Sequence, residues 1–165
     1  MTTVLNRDSI KVKRDLQKRV ENWVADYCDA LEENFKQHSI DSYKRNINHP
    51  TEVSKGYTSY YEEQLQKIED GTANLYKFVF KTGKKFHKVY FLEYREASEY
   101  YGTKAGYKSG SVHCFVDKQT GEVYKPASWK APAKHVRFDL RLIQDREFLF
   151  NPNNISWAGG HLYMR

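Results

Sequence analysis

The sequence predicts an α+β fold, with N-terminal helices packed on a mostly antiparallel β-sheet. Three observations carry this. An apolar stripe at three-and-four spacing marks a long helix near the N-terminus. After Gly71 the period changes, and runs rich in aromatic and β-branched residues follow. Helices come first and strands after them, the order of an α+β chain rather than of βαβ units. At 165 residues the chain is long enough for one domain with its own core. The expected division is one domain over 1–165, mainly helical over 1–70, mainly strands over 71–150, and a C-terminal loop over 151–165.

The first helix is expected from Asp8 to about His38. Leu16, Val20, Trp23, Val24, Tyr27, Leu31 and Phe35 form its stripe, and Lys18, Arg19, Asp26, Asp29, Glu32 and Glu33 its wet face. Ser39 to Gly56 is polar, and Asn48-His49-Pro50 interrupts regular structure. Thr51–Ser54 can open a short helix. A further helix is expected over Thr58–Glu69, ended by Asp70-Gly71. Leu75–Lys81 and Phe86–Tyr94 read as strands around the turn Thr82-Gly83-Lys84-Lys85. Arg95–Tyr101 reads as a short helix, with Gly102, Gly106 and Gly110 in a loop after it. Val112–Val116 and Glu122–Lys125 read as strands joined by Lys118-Gln119-Thr120-Gly121. Pro126 and Pro132 frame a rigid stretch. Val136, Phe138, Leu140 and Leu142 then alternate with Arg137, Asp139 and Arg141, which is strand spacing.

Composition narrows the function classes. Only 39% of the residues are hydrophobic, while 15% are Phe, Trp or Tyr, so aromatic rings must supply much of the core. The formal charge is +6, and it is unevenly placed. Residues 1–70 carry 11 Lys and Arg against 13 Asp and Glu, whereas residues 71–165 carry 16 against 8. Such asymmetry points to an acidic partner in contact with the second part of the chain. The N-terminal MTTVLNRDSIKVKRD has no apolar signal core, and no run approaches a membrane span, so no membrane partner is expected. Two cysteines, Cys28 and Cys114, fall on apolar patterns and read as small buried hydrophobes in a reducing cytoplasm.

The segment Phe115–Arg137, FVDKQTGEVYKPASWKAPAKHVR, resembles a signature of small, functionally unassigned proteins of tailed phages. Those proteins share a D-K-x-T-G-[DE]-V hairpin, an [AS]-[ST]-W-x-A-P-A-K continuation, and an Arg a few residues on. Their C-terminal ends often carry Gly followed by Tyr-Leu-Arg or similar, here Gly159-Gly160-His161-Leu162-Tyr163-Met164-Arg165. The resemblance covers roughly the last third of the chain. It implies a viral origin, with the cytoplasm of a host cell or the virion as location, and it implies no mechanism.

Two constellations suggest binding chemistry. Trp129, braced by Pro126 and Pro132, lies among Lys125, Lys130, Lys134, His135 and Arg137, with Arg141 beyond. An indole beside cations suits a nucleobase with its phosphates. The plainer alternative is a tryptophan that plugs the sheet. Lys77, Lys81, Lys84, Lys85 and Lys88 gather about the first hairpin and can track a phosphate backbone. Their plainer role is to guard a sheet edge against aggregation. No CxxC, HExxH or Walker spacing occurs, so no metal and no cofactor are expected. A dispersed nuclease site from His113, His135 or His161 with Asp117, Glu122 or Asp139 is demanded by no spacing, and no catalytic residue is assigned. The expectation is a basic protein for an anionic ligand, nucleic acid in the first place. The alternatives are contact with a host or virion protein, and sequestration of a small nucleotide signal.

Overall fold

The computed structural model describes residues 7–163. The first six residues, and Met164 and Arg165 of the C-terminal motif, lie outside the described residues. Helices α1 (Arg7–Ile47), α2 (Pro50–Lys55) and α3 (Thr58–Asp70) precede strands β1 (Lys77–Thr82), β2 (Phe86–Arg95), β3 (Gly106–Asp117), β4 (Glu122–Tyr124) and β5 (Phe138–Asp139). Helix α4 (Ile143–Leu149) and a 3-10 turn at Gly160–Leu162 follow. The strands form an antiparallel meander in chain order, an α+β fold.

Helix α1 runs on to Ile47, through the polar stretch expected to break it. Local bonds and tertiary packing outweigh propensity there. Ser39 is buried and its hydroxyl donates to the Phe35 carbonyl, Gln37 donates to Asp41, and Tyr43 packs against Tyr61 of α3. Pro50 opens α2, with His49 Nδ1 accepting from the Thr51 N–H at 3.3 Å. Gly71 ends α3 at φ +75°, its N–H bonded to the Ile68 carbonyl.

The inner sheet face carries Phe78 and Phe80, His87, Val89 and Phe91, Cys114 and Val116, Val123 and Phe138, in matching registers. Val20, Val24, Tyr27 and Leu31 of α1 close over it. The two cysteines are free and buried, and burial pushes the Cys28 thiol up to about 12.

Strand β3 has 12 residues and starts within the expected glycine loop, because Gly106–Ser109 pair with Leu92–Arg95, and it is bulged. Register shifts at Val89/Tyr90 and Tyr90/Leu92 insert extra residues of β3 between Ser109 and Cys114. Simple alternation puts His113 and Cys114 on opposite faces; the bulge brings both inside. The second irregularity depends on Gly110. A Cβ there would lie 2.0 Å from the Phe91 ring. That ring cannot easily retreat, for it stacks on Tyr76 at 4.7 Å, which stacks on Phe35 at 4.2 Å, with Trp157 edge-on to all three.

Two expected elements are corrected. Arg95–Tyr101 is no helix: the β2–β3 ladder extends to Arg95 and Gly106, and a Ser98–Thr103 bridge closes the turn. The expected strand at Val136–Leu142 shrinks to Phe138–Asp139, since its partner β4 has only three residues. Val136 and Leu142 are exposed instead. The chain turns into α4, where Asp145 accepts from the Asp139 N–H at 2.7 Å and Arg146 lies 4.5 Å over the Trp23 ring.

The C-terminal segment has little regular structure, yet it is fastened to α1. The Asn34 amide donates to the Pro152 and Ile155 carbonyls and accepts from the Trp157 N–H at 2.7 Å. About two turns earlier on α1, the buried Tyr27 hydroxyl lies 2.7 Å from His113 Nε2 and 2.5 Å from His161 Nε2. The partners fix the proton order. His161 Nδ1 accepts from the Ser156 N–H at 3.1 Å, so its Nε2–H donates to Tyr27. Tyr27 then donates to His113 Nε2, and the other nitrogen of His113 serves the Trp157 backbone. Both imidazoles are neutral. Burial holds His113 down to about 3, aided by His161, and His161 down to about 4.

Two predictions follow from this packing. Gly110→Ala should destabilise by about 1–3 kcal/mol through overpacking, read from the urea midpoint; an unchanged midpoint would show that the Phe91 stack yields. The second concerns pH. Above about pH 6.5 the two histidines are neutral folded and unfolded alike. Below it the unfolded chain takes up protons that the folded chain refuses, so stability should fall from about pH 6.5 towards pH 4. His87, buried and also held below its ordinary value, acts in the same direction. The urea midpoint should drop across this window, and His161→Gln should flatten the drop; a flat wild-type profile would refute the assignment.

Candidate functional site

Among the described residues no helix packs over the outer sheet face as α1 does over the inner one, although Phe115 on it is buried. In register it presents Lys81 opposite Lys88, with Phe86, Tyr90, Phe115 and Tyr124 around them. Two lysines directly across a strand pair repel, at a cost of up to about 1 kcal/mol. Lys88 is partly relieved by rings: its ammonium lies 4.8 Å over Trp129 and 5.8 Å over Phe115.

The β1–β2 turn adds Lys84 and Lys85. It is pinned by Lys118, whose Nζ donates to the Gly83 carbonyl and whose N–H donates to the Lys85 carbonyl, both at 3.1 Å. Lys85 lies 5.3 Å over the Phe86 ring. Lys130 arrives from the loop between β4 and β5. The result is a concavity of about 290 Å³ with five lysines at its rim, Phe86 and Phe115 in its floor, and no carboxylate in its lining. Among the described residues none of these five lysines is in an ion pair.

The loop that supplies Lys130 is held by backbone. Pro126 and Pro132 form a bridge, Ala127 and Ser128 both donate to the Ala131 carbonyl, and the Ser128 hydroxyl accepts from Lys130 and Ala131. Trp129 at its tip is 45% exposed and meets Tyr90 at 5.6 Å. Beside it lies a second concavity, of about 350 Å³, lined by Gly110–Val112 and Pro126–Trp129, all uncharged.

The structure therefore joins Lys81, Lys84, Lys85, Lys88, Trp129 and Lys130 from the two predicted constellations. It does not join the rest. Lys77 stands at the far end of β1, 4.3 Å over the Tyr107 ring, in a concavity that also holds Asp29, Glu32 and Glu33. Arg141 is engaged by Asp139 at 2.7 Å and Glu122 at 3.5 Å, and the Asp139 hydrogen bond raises its pKa. Arg137 is half-buried, and its Nε has no hydrogen-bond partner among the described residues. Lys134 and His135 are exposed on the following turn, His135 at φ +74°, and line neither concavity. The aromatic floor was absent from the predicted site. Part of its signal was the parity of β2, where Phe86, Lys88 and Tyr90 share one face.

The dispersed acid–base residues do not converge. His113 and His161 meet, but inside the Tyr27 network. Asp117 caps its own turn by accepting from Gln119 and Thr120, while Glu122 and Asp139 flank Arg141. Among the described residues no group of three or more His, Cys, Asp or Glu could hold a metal ion, and no helix is long and apolar enough to cross a membrane.

No curated protein and no solved structure is significantly similar to the chain. Residues 7–164 match a family of unknown function (DUF7717), and the chain belongs to that family.

Proposed function

We propose that this protein binds nucleic acid through the lysine groove of the outer sheet face. One observation carries the reading: five lysines from two distant segments surround an aromatic floor without a carboxylate among them. Setting Lys81 against Lys88 costs the unliganded fold stability. A phosphate backbone would relieve that repulsion and release counterions on binding. The basic excess of residues 71–165 favours approach of the same partner. The setting we propose with it is viral, on the likeness of Phe115–Arg137 to the tailed-phage signature, in the cytoplasm of a host cell or in a virion.

A second reading, contact with a host or virion protein, is favoured by aromatic residues away from the groove. Tyr100 and Tyr101 are 88% and 78% exposed on the β2–β3 turn, and Tyr57 and Tyr60 are exposed about α3.

Anisotropy of a labelled oligonucleotide, titrated at several salt concentrations, tests the first reading. The double variant Lys84→Glu, Lys85→Glu should weaken binding by about tenfold or more at low salt and reduce the salt slope by about two. Wild-type affinity and slope in that variant would sink the groove. Wild-type protein that binds no polynucleotide at low salt, yet co-purifies with another protein lost on Tyr100→Ala, Tyr101→Ala, would favour the second reading.

A further inference from the structure

Trp129 stands between two concavities of opposite character. On one side Lys88 and Lys130 lead into the lysine groove. On the other the indole walls the uncharged concavity over Gly110–Val112. The strand beneath that second concavity has an unoccupied edge. Strand β4 pairs with β3 at Phe115 and Val116, so among the described residues the side of β3 away from β2 has no strand partner across Gly110–Val112. The bulges fall at the same place and turn this edge out of the regular ladder. The concavity thus offers main-chain donors and acceptors beside an aromatic wall, and no charge.

We infer that the uncharged concavity is a nucleobase slot, and that the two concavities together select single-stranded nucleic acid over duplex. The inference rests on the lysine-groove reading and adds a ligand class to it. The base lies against Trp129 and meets the β3 edge through its polar rim, while the phosphates of the same strand run over Lys88 and Lys130. A lysine groove alone does not discriminate, because duplex and single strand both present phosphates. The indole does. In a duplex each base face is covered by its neighbours, and only an unpaired base offers its face to a side chain. The wall is fit for this: the Pro126–Pro132 bridge and the Ala131 carbonyl hold the loop before any ligand arrives, so little freedom is lost on stacking. The cation over the ring strengthens the arrangement, since Lys88 orients the indole and stands where the phosphate must pass.

The test uses the full chain, with a labelled oligothymidylate, a mixed-sequence duplex of equal length, and a mononucleoside triphosphate. Anisotropy gives the affinities, and quenching of tryptophan emission reports contact at the indole when wild type is compared with Trp129→Phe. The single strand should bind at least about tenfold more tightly than the duplex. Trp129→Ala should lower single-strand affinity by about 10- to 100-fold and leave duplex affinity within about threefold. Trp129→Phe should retain an intermediate preference, which separates a lost stack from a lost fold. Equal affinity for duplex and single strand, unaltered by either variant, would overturn the base slot and leave the lysine groove standing. A mononucleotide bound as tightly as the oligomer would overturn the polymer in favour of a small nucleotide. Failure of every polynucleotide to bind at low salt would remove the groove reading and this one with it.

Discussion

The hydroxyl of Tyr27 is the point on which the inner half of the molecule depends. It is fully buried, and it is satisfied by two histidines that the chain brings from 86 and 134 residues away. A lone buried hydroxyl costs more than its hydrogen bond returns, so both imidazoles must be present and each must hold its proton on one particular nitrogen. That requirement reaches outward. His113 can face inward only because β3 is bulged, and the neighbouring irregularity leaves room only for glycine at Gly110. His161 can face inward only because Asn34 and the 3-10 turn have brought the C-terminal segment against α1. One polar knot inside an aromatic core thus ties the first helix, the central strand and the end of the chain. Its specificity comes from satisfied geometry rather than from apolar area.

The consequence for the outer face is a division of labour within one strand. The bulges that turn His113 inward also shape the edge at Gly110–Val112 that borders Trp129. The packed side and the open side of the sheet are therefore set by the same irregularity. Such features are retained in sheets where a side chain must be re-aimed, and they are costly to keep without a use.

The helices, the sheet and most strand positions were legible because their apolar periods are long and regular. The misses share a cause. Helix α1 passes through Ser39–Ile47, and the Val136–Leu142 strand fails, because tertiary partners decide short or polar segments: α3 supports the first, and three-residue β4 cannot support the second. The bulges of β3 were not legible, since nothing in SVHC marks where alternation breaks. Of the site, Trp129 and the lysines of the first hairpin were found from charge and proline bracketing. Lys77 and Arg141 carry equal charge in the sequence, but Lys77 shares its concavity with Asp29, Glu32 and Glu33 of α1, and Arg141 pairs with nearby Asp139 and with Glu122 of β4. Sequence counts cations; only the fold shows which remain uncompensated.

That distinction bears on how the groove should behave. Lys81 and Lys88 are held together by the ladder, so the backbone fixes their repulsion and side-chain motion only softens it. The folded protein has thus already met the cost of concentrating charge before an anion arrives. An anion that binds there recovers that cost, whereas one that binds a mobile lysine must first order it. Trp129 follows the same logic, braced by its loop and capped by Lys88. In the proposed reading Lys88 is the shared member of both halves of the site. Its ammonium serves the indole and the phosphate path together, so loss of that one charge would weaken stacking and electrostatics at once.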